Sequence, residues 1–211
     1  MATNYLLLLI YILALLLEPA FVYLPSRVLE KCQSKEGQEG VTIICTNINT
    51  TRYLSYIPIL NTQTVVGVDI INSVVDCLDL THLSRFSSLA YLTVKNSHLK
   101  EVLCPARPGR DSPGTSNLKD LLSLDVSSNL LSHLDSRLKV ATMLETLNLS
   151  NNRFSHLCPV MTSFTSLKYL DLSSNLFSNT LDQNIMEIIK HSLQSLKLSG
   201  IIYHQLIGQP F

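Results

Sequence analysis

The sequence has no excess of charge of either sign, and it contains no tryptophan. Its 211 residues include 16 lysines plus arginines and 16 aspartates plus glutamates, so the formal net charge at pH 7 is zero. A chain without a basic patch has no electrostatic attraction for the phosphates of a nucleic acid or for anionic lipid. We therefore expect no nucleic-acid partner.

Short motifs of catalysis and metal binding are also missing. The sequence contains no G-x-S-x-G, no phosphate-binding G-x-x-x-x-G-K, no H-E-x-x-H and no C-x-x-C. Asp125 and Asp171 hold equivalent places in a repeated pattern, but Asn148 stands between them in the same column. We predict that the protein is not an enzyme and that it holds no cofactor and no metal.

What the sequence does contain is a pattern that recurs every 23 residues. It reads L-x-x-L-x-L-x-x-N-x-L/F, and its clear copies begin at Leu121, Leu144 and Leu167. A fixed period of 20–29 residues with this pattern is the signature of a leucine-rich repeat. The region therefore resembles the leucine-rich repeat family, and its N-terminal half resembles the extracellular branch. The resemblance implies an α/β fold, a curved horseshoe-shaped solenoid with a parallel sheet on its concave face and a cysteine cap at its N-terminus.

The pattern extends in both directions from the clear copies. Looser copies start near residues 65, 89 and 193, which gives about six repeats over residues 65–211. The step from 89 to 121 is 32 residues long and includes Cys104 to Asn117, a run dense in Pro, Gly and Ser that predicts a loop insertion. Position 9 of the clear copies holds Asn129, Asn152 and Asn175, and we expect them to form a ladder that satisfies buried backbone groups.

The N-terminal region divides into two predicted segments. Residues Tyr5 to Leu17 form an apolar run that fits a secretory signal peptide over residues 1–23. A signal anchor that spans Tyr5 to Leu24 is the alternative, because about 20 apolar residues can cross a bilayer. Residues 24–64 hold Cys32 and Cys45 on either side of a short predicted strand, and they resemble the capping module of secreted and cell-surface members. That resemblance implies a Cys32–Cys45 disulfide over the exposed end of the core.

The other cysteines and two histidines leave alternatives open. Cys77 and Cys104 lie on adjacent predicted turns and could form a bridge, or both could be small buried hydrophobic residues. Three alternatives stay open for Cys158: an intermolecular bond, a buried free thiol, or a thiol whose partner is missing. His133 and His156 share position 13 of neighbouring repeats. They are compatible with a weak metal site or a pH-sensitive patch, and repeat stacking also explains them without any function.

Two sequons predict N-glycosylation, at Asn49 in the cap and at Asn148 on a strand. Asn148 should face outward on the concave side, where a glycan would block part of the surface and shift binding elsewhere. A partner on the concave face would meet the residues at positions 2, 3, 5, 7 and 8. The candidates for partner binding are Tyr91, Lys95, Asp125, Glu145, Lys168, Tyr169 and Asp171, with the two tyrosines as the best anchors.

Together these features predict a non-enzymatic extracellular binding scaffold that is secreted or lies on the outer face of the plasma membrane. The resemblance implies the ligand-binding ectodomain, or a fragment of it, of a cell-surface receptor of the Toll-like kind that binds a protein or glycan. Membrane attachment would come through a downstream span or an uncleaved signal anchor. The alternative is a complete small secreted protein that acts as a matrix component or a decoy.

Overall fold

The structure is a computed structural model, and it describes residues 31–56, 65–105, 118–177 and 193–200. Its strands are β1 (Cys32–Glu36), β2 (Val41–Thr46), β3 (Val65–Ile71), β4 (Tyr91–Lys95), β5 (Ser123–Asp125), β6 (Thr146–Asn148), β7 (Tyr169–Asp171) and β8 (Ser195–Lys197). One short helix, α1 (Leu80–Leu83), and three 3-10 helices (Thr51–Tyr56, Ser136–Val140 and Pro159–Ser163) lie between strands.

All eight strands form one sheet in the order of the sequence. β1 and β2 are antiparallel, and every later pair is parallel. The register from β4 to β8 aligns position 4 of each repeat, so Leu124 is opposite Leu147 and Leu147 is opposite Leu170. The 23-residue period of the sequence is therefore the step from one strand to the next, and the predicted α/β solenoid is confirmed.

Leucines at positions 1, 4 and 6 build the core. In the repeat that starts at Leu144, the side chains of Leu144, Leu147 and Leu149 are all at most 1% exposed. Burial of each such side chain contributes about 1.5–3 kcal/mol relative to an exposed one. The segments that return from one strand to the next add Leu138 and Met161 from two 3-10 helices. No single repeat encloses this core, so each repeat depends on its neighbours.

The asparagines at position 9 join adjacent repeats through buried hydrogen bonds. Asn152 Oδ1 accepts from the N–H of Leu131 at 3.0 Å, while its Nδ2 donates to the carbonyls of Val126 at 2.9 Å and Leu149 at 3.0 Å. Asn129 and Asn175 make the equivalent bonds one repeat before and one repeat after. In this way one side chain satisfies three backbone groups at the point where the chain leaves the sheet.

Serine replaces asparagine at position 9 of the two earlier repeats. The hydroxyl of Ser73 accepts from the N–H of Ile48 at 3.2 Å, and that of Ser97 accepts from the N–H of Ser73 at 3.3 Å. Each hydroxyl also donates to a carbonyl of its own turn, at Ile71 and Lys95 respectively. The ladder therefore continues into the cap, with fewer bonds per repeat than an asparagine provides.

Position 8, directly before the ladder, has a left-handed backbone in every repeat. The φ angles are 54° at Asn47, 51° at Asn72, 50° at Asn96, 56° at Ser128, 54° at Asn151, 54° at Ser174 and 69° at Gly200. Asparagine and glycine tolerate this conformation better than most residues, whereas serine gains no such advantage. The left-handed residue turns the chain sharply out of the sheet and presents the position 9 side chain to the interior.

Two disulfides and one buried thiol account for the five cysteines. Cys32 and Cys45 are opposite each other in the antiparallel pair β1–β2, with an S–S distance of 2.04 Å. Cys77 and Cys104 join two neighbouring return segments at 2.02 Å. Cys158 is a buried free cysteine, its Sγ accepts from the N–H of Leu134 at 3.1 Å, and burial raises the pKa of its thiol.

The start of the predicted insertion is held from a third repeat. Arg137 donates to the carbonyl oxygen of Cys104 at 2.8 Å and forms two bonds to the carboxylate of Asp135, at 2.9 Å from Nε and 2.7 Å from Nη2. These hydrogen bonds from Arg137 hold the pKa of Asp135 below its usual value. Cys104, at the start of the segment, is therefore held both by its disulfide to Cys77 and by the hydrogen bond from Arg137.

Several predictions fall outside the described residues. These are the signal peptide or anchor from Tyr5, residues 106–117 of the insertion and the last repeat from residue 201 onward. Among the ranges that the structure describes, no helix is long and apolar enough to cross a membrane. The boundaries given above for the signal peptide, the capping region and the repeat region remain predictions.

We expect Asn152→Ala to destabilise the protein strongly. The change leaves the N–H of Leu131 and two carbonyls buried without their side-chain partner, at a cost of about 3 kcal/mol. Urea unfolding measures the free energy, and Ser155→Ala, at an exposed site in the same return segment, should change it by less than about 0.5 kcal/mol. Equal effects of the two variants would contradict a structural role for the ladder.

Candidate partner-binding surface

One side of the sheet faces away from the leucine core, and we call it the sheet face. It is built from two rows of side chains that the parallel register aligns from strand to strand. The position-3 row consists of Gly67, Tyr91, Ser123, Thr146, Tyr169 and Ser195. The position-5 row consists of Asp69, Thr93, Asp125, Asn148, Asp171 and Lys197. Adjacent members of a row are about 4.8 Å apart.

Backbone hydrogen bonds fix three consecutive side chains of the position-5 row. Oδ1 of Asp125, Asn148 and Asp171 each accepts from the N–H two residues further along, at 2.9, 3.0 and 2.9 Å. Asn148 also donates from Nδ2 to Oδ2 of Asp125 at 3.2 Å. A side chain held in this way loses little conformational entropy when a ligand binds, so this row is preorganised.

Position 7 contributes less to this surface than the sequence predicts. Ser127 and Ser173 are 1% and 8% exposed, because both lie where the chain bends toward the ladder. The Ser127 hydroxyl has no hydrogen-bond partner among the described residues. Lys95 occupies the same position and does reach solvent, so the prediction of an outward position 7 holds for the long side chain and is wrong for these two serines.

Four of the seven predicted partner-binding residues are paired with each other. Lys168 Nζ lies 2.7 Å from Glu145 Oε1, and Lys95 Nζ lies 3.5 Å from Asp125 Oδ2. These ion pairs are partly exposed, and such pairs contribute between zero and about 1 kcal/mol. Their main effect is to cancel charge on the sheet face without withdrawing the side chains from a partner.

The two tyrosines of the position-3 row have different roles. Tyr91 donates its hydroxyl to Oε2 of Glu39 at 2.7 Å, across 52 residues, and so connects the second repeat to the turn of the cap. This bond and the negative charge of Glu39 raise the pKa of Tyr91. Tyr169 is 48% exposed, and its hydroxyl makes no hydrogen bond within the described part of the chain. Of the two predicted anchors, Tyr169 is the one open to solvent.

Gly67 brings the cap close to the first repeat. It lies in the row beside Tyr91 and is opposite Thr42 of β2. A Cβ atom at Gly67 would lie 2.7 Å from Thr42 Oγ1 and 3.0 Å from its Cγ2, closer than real contacts allow. The missing side chain therefore lets the threonine of the cap pack directly on the backbone of β3.

The predicted histidine pair lies outside the sheet face. His133 and His156 are both exposed, and the Nδ1 atom of each is close to the hydroxyl of the preceding serine, at 3.3 and 3.0 Å. Over the residues that the structure describes, no three His, Cys, Asp or Glu side chains are arranged to hold a metal ion. Asp125 and Asp171 are two strands apart, with Asn148 between them.

The fold is similar to those of several solved structures. A leucine-rich repeat protein of Leptospira interrogans is 21% identical, with a TM-score of 0.56 over 67% of this chain and 33% of that one. The structure of TLR13 in complex with ssRNA13 is 22% identical, with a TM-score of 0.59 over 83% and 24%. The internalin InlF of Listeria monocytogenes is 19% identical, with a TM-score of 0.54 over 79% and 43%. The fold is a leucine-rich repeat solenoid.

This leucine-rich repeat chain spans between a quarter and under half the length of those three proteins. No protein-family model and no curated protein matches it. At identities near 20%, the likeness establishes the architecture and leaves the ligand to be inferred from the side chains of the sheet face.

We expect Glu39→Gln to lower the pKa of Tyr91 toward its ordinary value of 10.0. Glutamine keeps an acceptor for the hydroxyl but removes the negative charge that disfavours tyrosinate. NMR titration of ring-labelled tyrosine measures this pKa, and Tyr91→Phe identifies the resonance. Because the pKa of Tyr91 is raised in the folded state, the stabilisation that its hydrogen bond to Glu39 contributes is present below pH 10.0. This stabilisation is lost as the pH rises through the pKa of Tyr91 in the folded protein. An unchanged pKa in the variant would contradict the contact.

We expect Gly67→Ala to destabilise the protein by about 1–3 kcal/mol, because the new methyl group must displace Thr42. Thr42→Ala removes the two nearest atoms, so the double variant should recover part of that loss. Urea unfolding of the two single variants and the double variant gives the coupling energy. Simple additivity would contradict direct packing between the cap and β3.

Proposed function

We propose that the protein is a non-enzymatic extracellular binding scaffold, and that it forms all or part of the ligand-binding ectodomain of a cell-surface receptor. Its partner, a protein or a glycan, docks on the sheet face. The observation that carries this proposal is the position-5 row, in which three consecutive polar side chains are exposed enough to bind and are already fixed by their own backbone. Such preorganisation reduces the entropy lost on binding.

An extracellular location has three independent supports. Two disulfides hold the N-terminal part of the chain, and disulfides persist mainly in oxidising compartments. The apolar run from Tyr5 predicts a secretory signal, and the Asn49 sequon lies on an exposed part of the cap. The likeness to TLR13 and to an internalin favours recognition as the general role of such a fold.

The charges on the sheet face favour a protein or glycan over a nucleic acid. TLR13 is described in complex with single-stranded RNA, so this fold can hold that ligand. Here the position-5 row contains three carboxylates, Asp69, Asp125 and Asp171, against one lysine, Lys197. Because Lys95 pairs with Asp125 and Lys197 is opposite Asp171, the sheet face has no excess of positive charge to attract a phosphate backbone. The absence of a nucleic-acid partner remains our prediction, and this row supports it.

Site-specific photo-crosslinking tests the proposed interface and does not require the ligand to be identified first. A photoreactive amino acid at Lys95 samples the sheet face, and the same residue at Lys139 samples an exposed site in the 3-10 helix Ser136–Val140. We expect covalent adducts from Lys95 and few from Lys139 when the secreted protein is exposed to cell surfaces and matrix. Adducts from Lys139 alone would place the interface on the return segments and contradict the proposal.

A further inference from the structure

Asn148 and Tyr169 are diagonal neighbours on the sheet face. In the register of β6 and β7, Tyr169 is opposite Thr146 and Asn148 is opposite Asp171, two residues further along. The strand spacing and the rise per residue place their Cα atoms about 8 Å apart. Because both side chains lie on the same face of the sheet, this separation is comparable to the reach of an asparagine side chain with one sugar ring attached.

The hydrogen bonds of Asn148 are compatible with a glycan. Its Oδ1 accepts from the N–H and the hydroxyl of Ser150, at 3.0 and 2.8 Å, and an amide keeps this oxygen after glycosylation. Its Nδ2 donates one N–H to Asp125 at 3.2 Å. The amide nitrogen carries two hydrogens, so one remains for Asp125 when the other is replaced by sugar.

The surroundings of Tyr169 suit an uncharged, hydroxyl-rich ligand. Its neighbours in the position-3 row are the small polar residues Thr146 and Ser195, and Tyr169 itself is about half exposed. The nearby charges cancel, because Glu145 pairs with Lys168 and Asp171 is opposite Lys197. A partner protein favours an aromatic anchor within an apolar patch, whereas a sugar offers C–H groups to the ring and hydroxyls to the polar rim.

We propose that Asn148 carries an N-linked glycan whose first sugar stacks on the ring of Tyr169. In the secretory pathway, Asn148 Nδ2 forms a bond to the anomeric carbon of that sugar. The pyrophosphate-linked lipid carrier leaves, and the amide loses one proton. The proposal rests on the extracellular location given above. Tyr169, the exposed aromatic residue of the sheet face, is then a binding site for the protein's own glycan.

This arrangement divides the sheet face between glycan and partner. The glycan extends from Asn148 on β6 over Tyr169 on β7 and lies beside Asp171. The part from β3 to β5 stays open, with Asp69, Lys95 and Asp125 at the surface. A partner that docks on the sheet face therefore meets Lys95 and, of the three preorganised side chains of the position-5 row, Asp125.

Site occupancy is the first measurement. The protein is expressed with high-mannose glycans in a eukaryotic secretory host, and glycopeptides that contain Asn49 and Asn148 are quantified by mass spectrometry. We expect both sites to be occupied. Occupancy of Asn49 without Asn148 overturns the inference and leaves the extracellular location intact. Two empty sites in a secreted product overturn the inference, and failure to enter the secretory pathway contradicts the proposed function itself.

Stacking on Tyr169 is tested on three forms of the protein. They are the full glycoform, a form trimmed by endoglycosidase to a single sugar at each site, and Asn148→Gln without a glycan there. Tyr169→Ala should lower Tm by about 2–4 °C in the first two forms and by much less in the third. Met143→Ala, at another residue that is half exposed, should give the same shift in all three. An equal effect of Tyr169→Ala in all forms overturns the stacking contact.

Discussion

The bend at the end of each strand is the constraint on which the rest of the structure depends. A chain that leaves a parallel sheet has backbone groups that no further strand can satisfy. Here they are satisfied by a buried asparagine amide in three repeats and by a buried serine hydroxyl in the two before them. Asn152 joins the turns of two adjacent repeats, through Leu131 and Val126 in one and Leu149 in the other. Because every repeat bends at the same place, the leucines stack in register and the sheet face is continuous.

The sheet face is ordered by the same kind of bond, made by exposed side chains. The side-chain oxygens of Asp125, Asn148 and Asp171 accept from the N–H two residues further along, at the start of the bend that the ladder completes. In these three repeats, the bend and the proposed binding surface therefore share one segment of the chain. A substitution in this segment affects both the bend and the proposed binding surface. The exposed side chains of the segment are therefore better placed to define specificity than the buried ones.

The repeat pattern made the fold predictable, because a departure from the pattern in one copy is outweighed by the agreement of the other copies. The strands, the leucine core and the places of Asn129, Asn152 and Asn175 all follow from a 23-residue step. Position 8 carried a signal as well, since Asn, Ser or Gly occurs there in every repeat, and its left-handed backbone could have been predicted. The burial of Ser127 could not, because alternation along a strand stops applying where the chain bends.

Contacts between the cap and the repeats had no signal in the sequence. The bond from Tyr91 to Glu39 joins residues 52 apart whose proximity depends on how far the β1–β2 turn reaches over the sheet. Gly67 lets β2 pack closely on β3, because it presents bare backbone to Thr42 at that point. The result changes the interpretation of the two tyrosines, which look equivalent in the repeat pattern. Tyr91 is hydrogen-bonded to the cap, whereas Tyr169 lies beside the Asn148 sequon in neutral, polar surroundings. The position of an aromatic within a repeat thus says which face it lies on, and its neighbours in adjacent strands determine what it can bind.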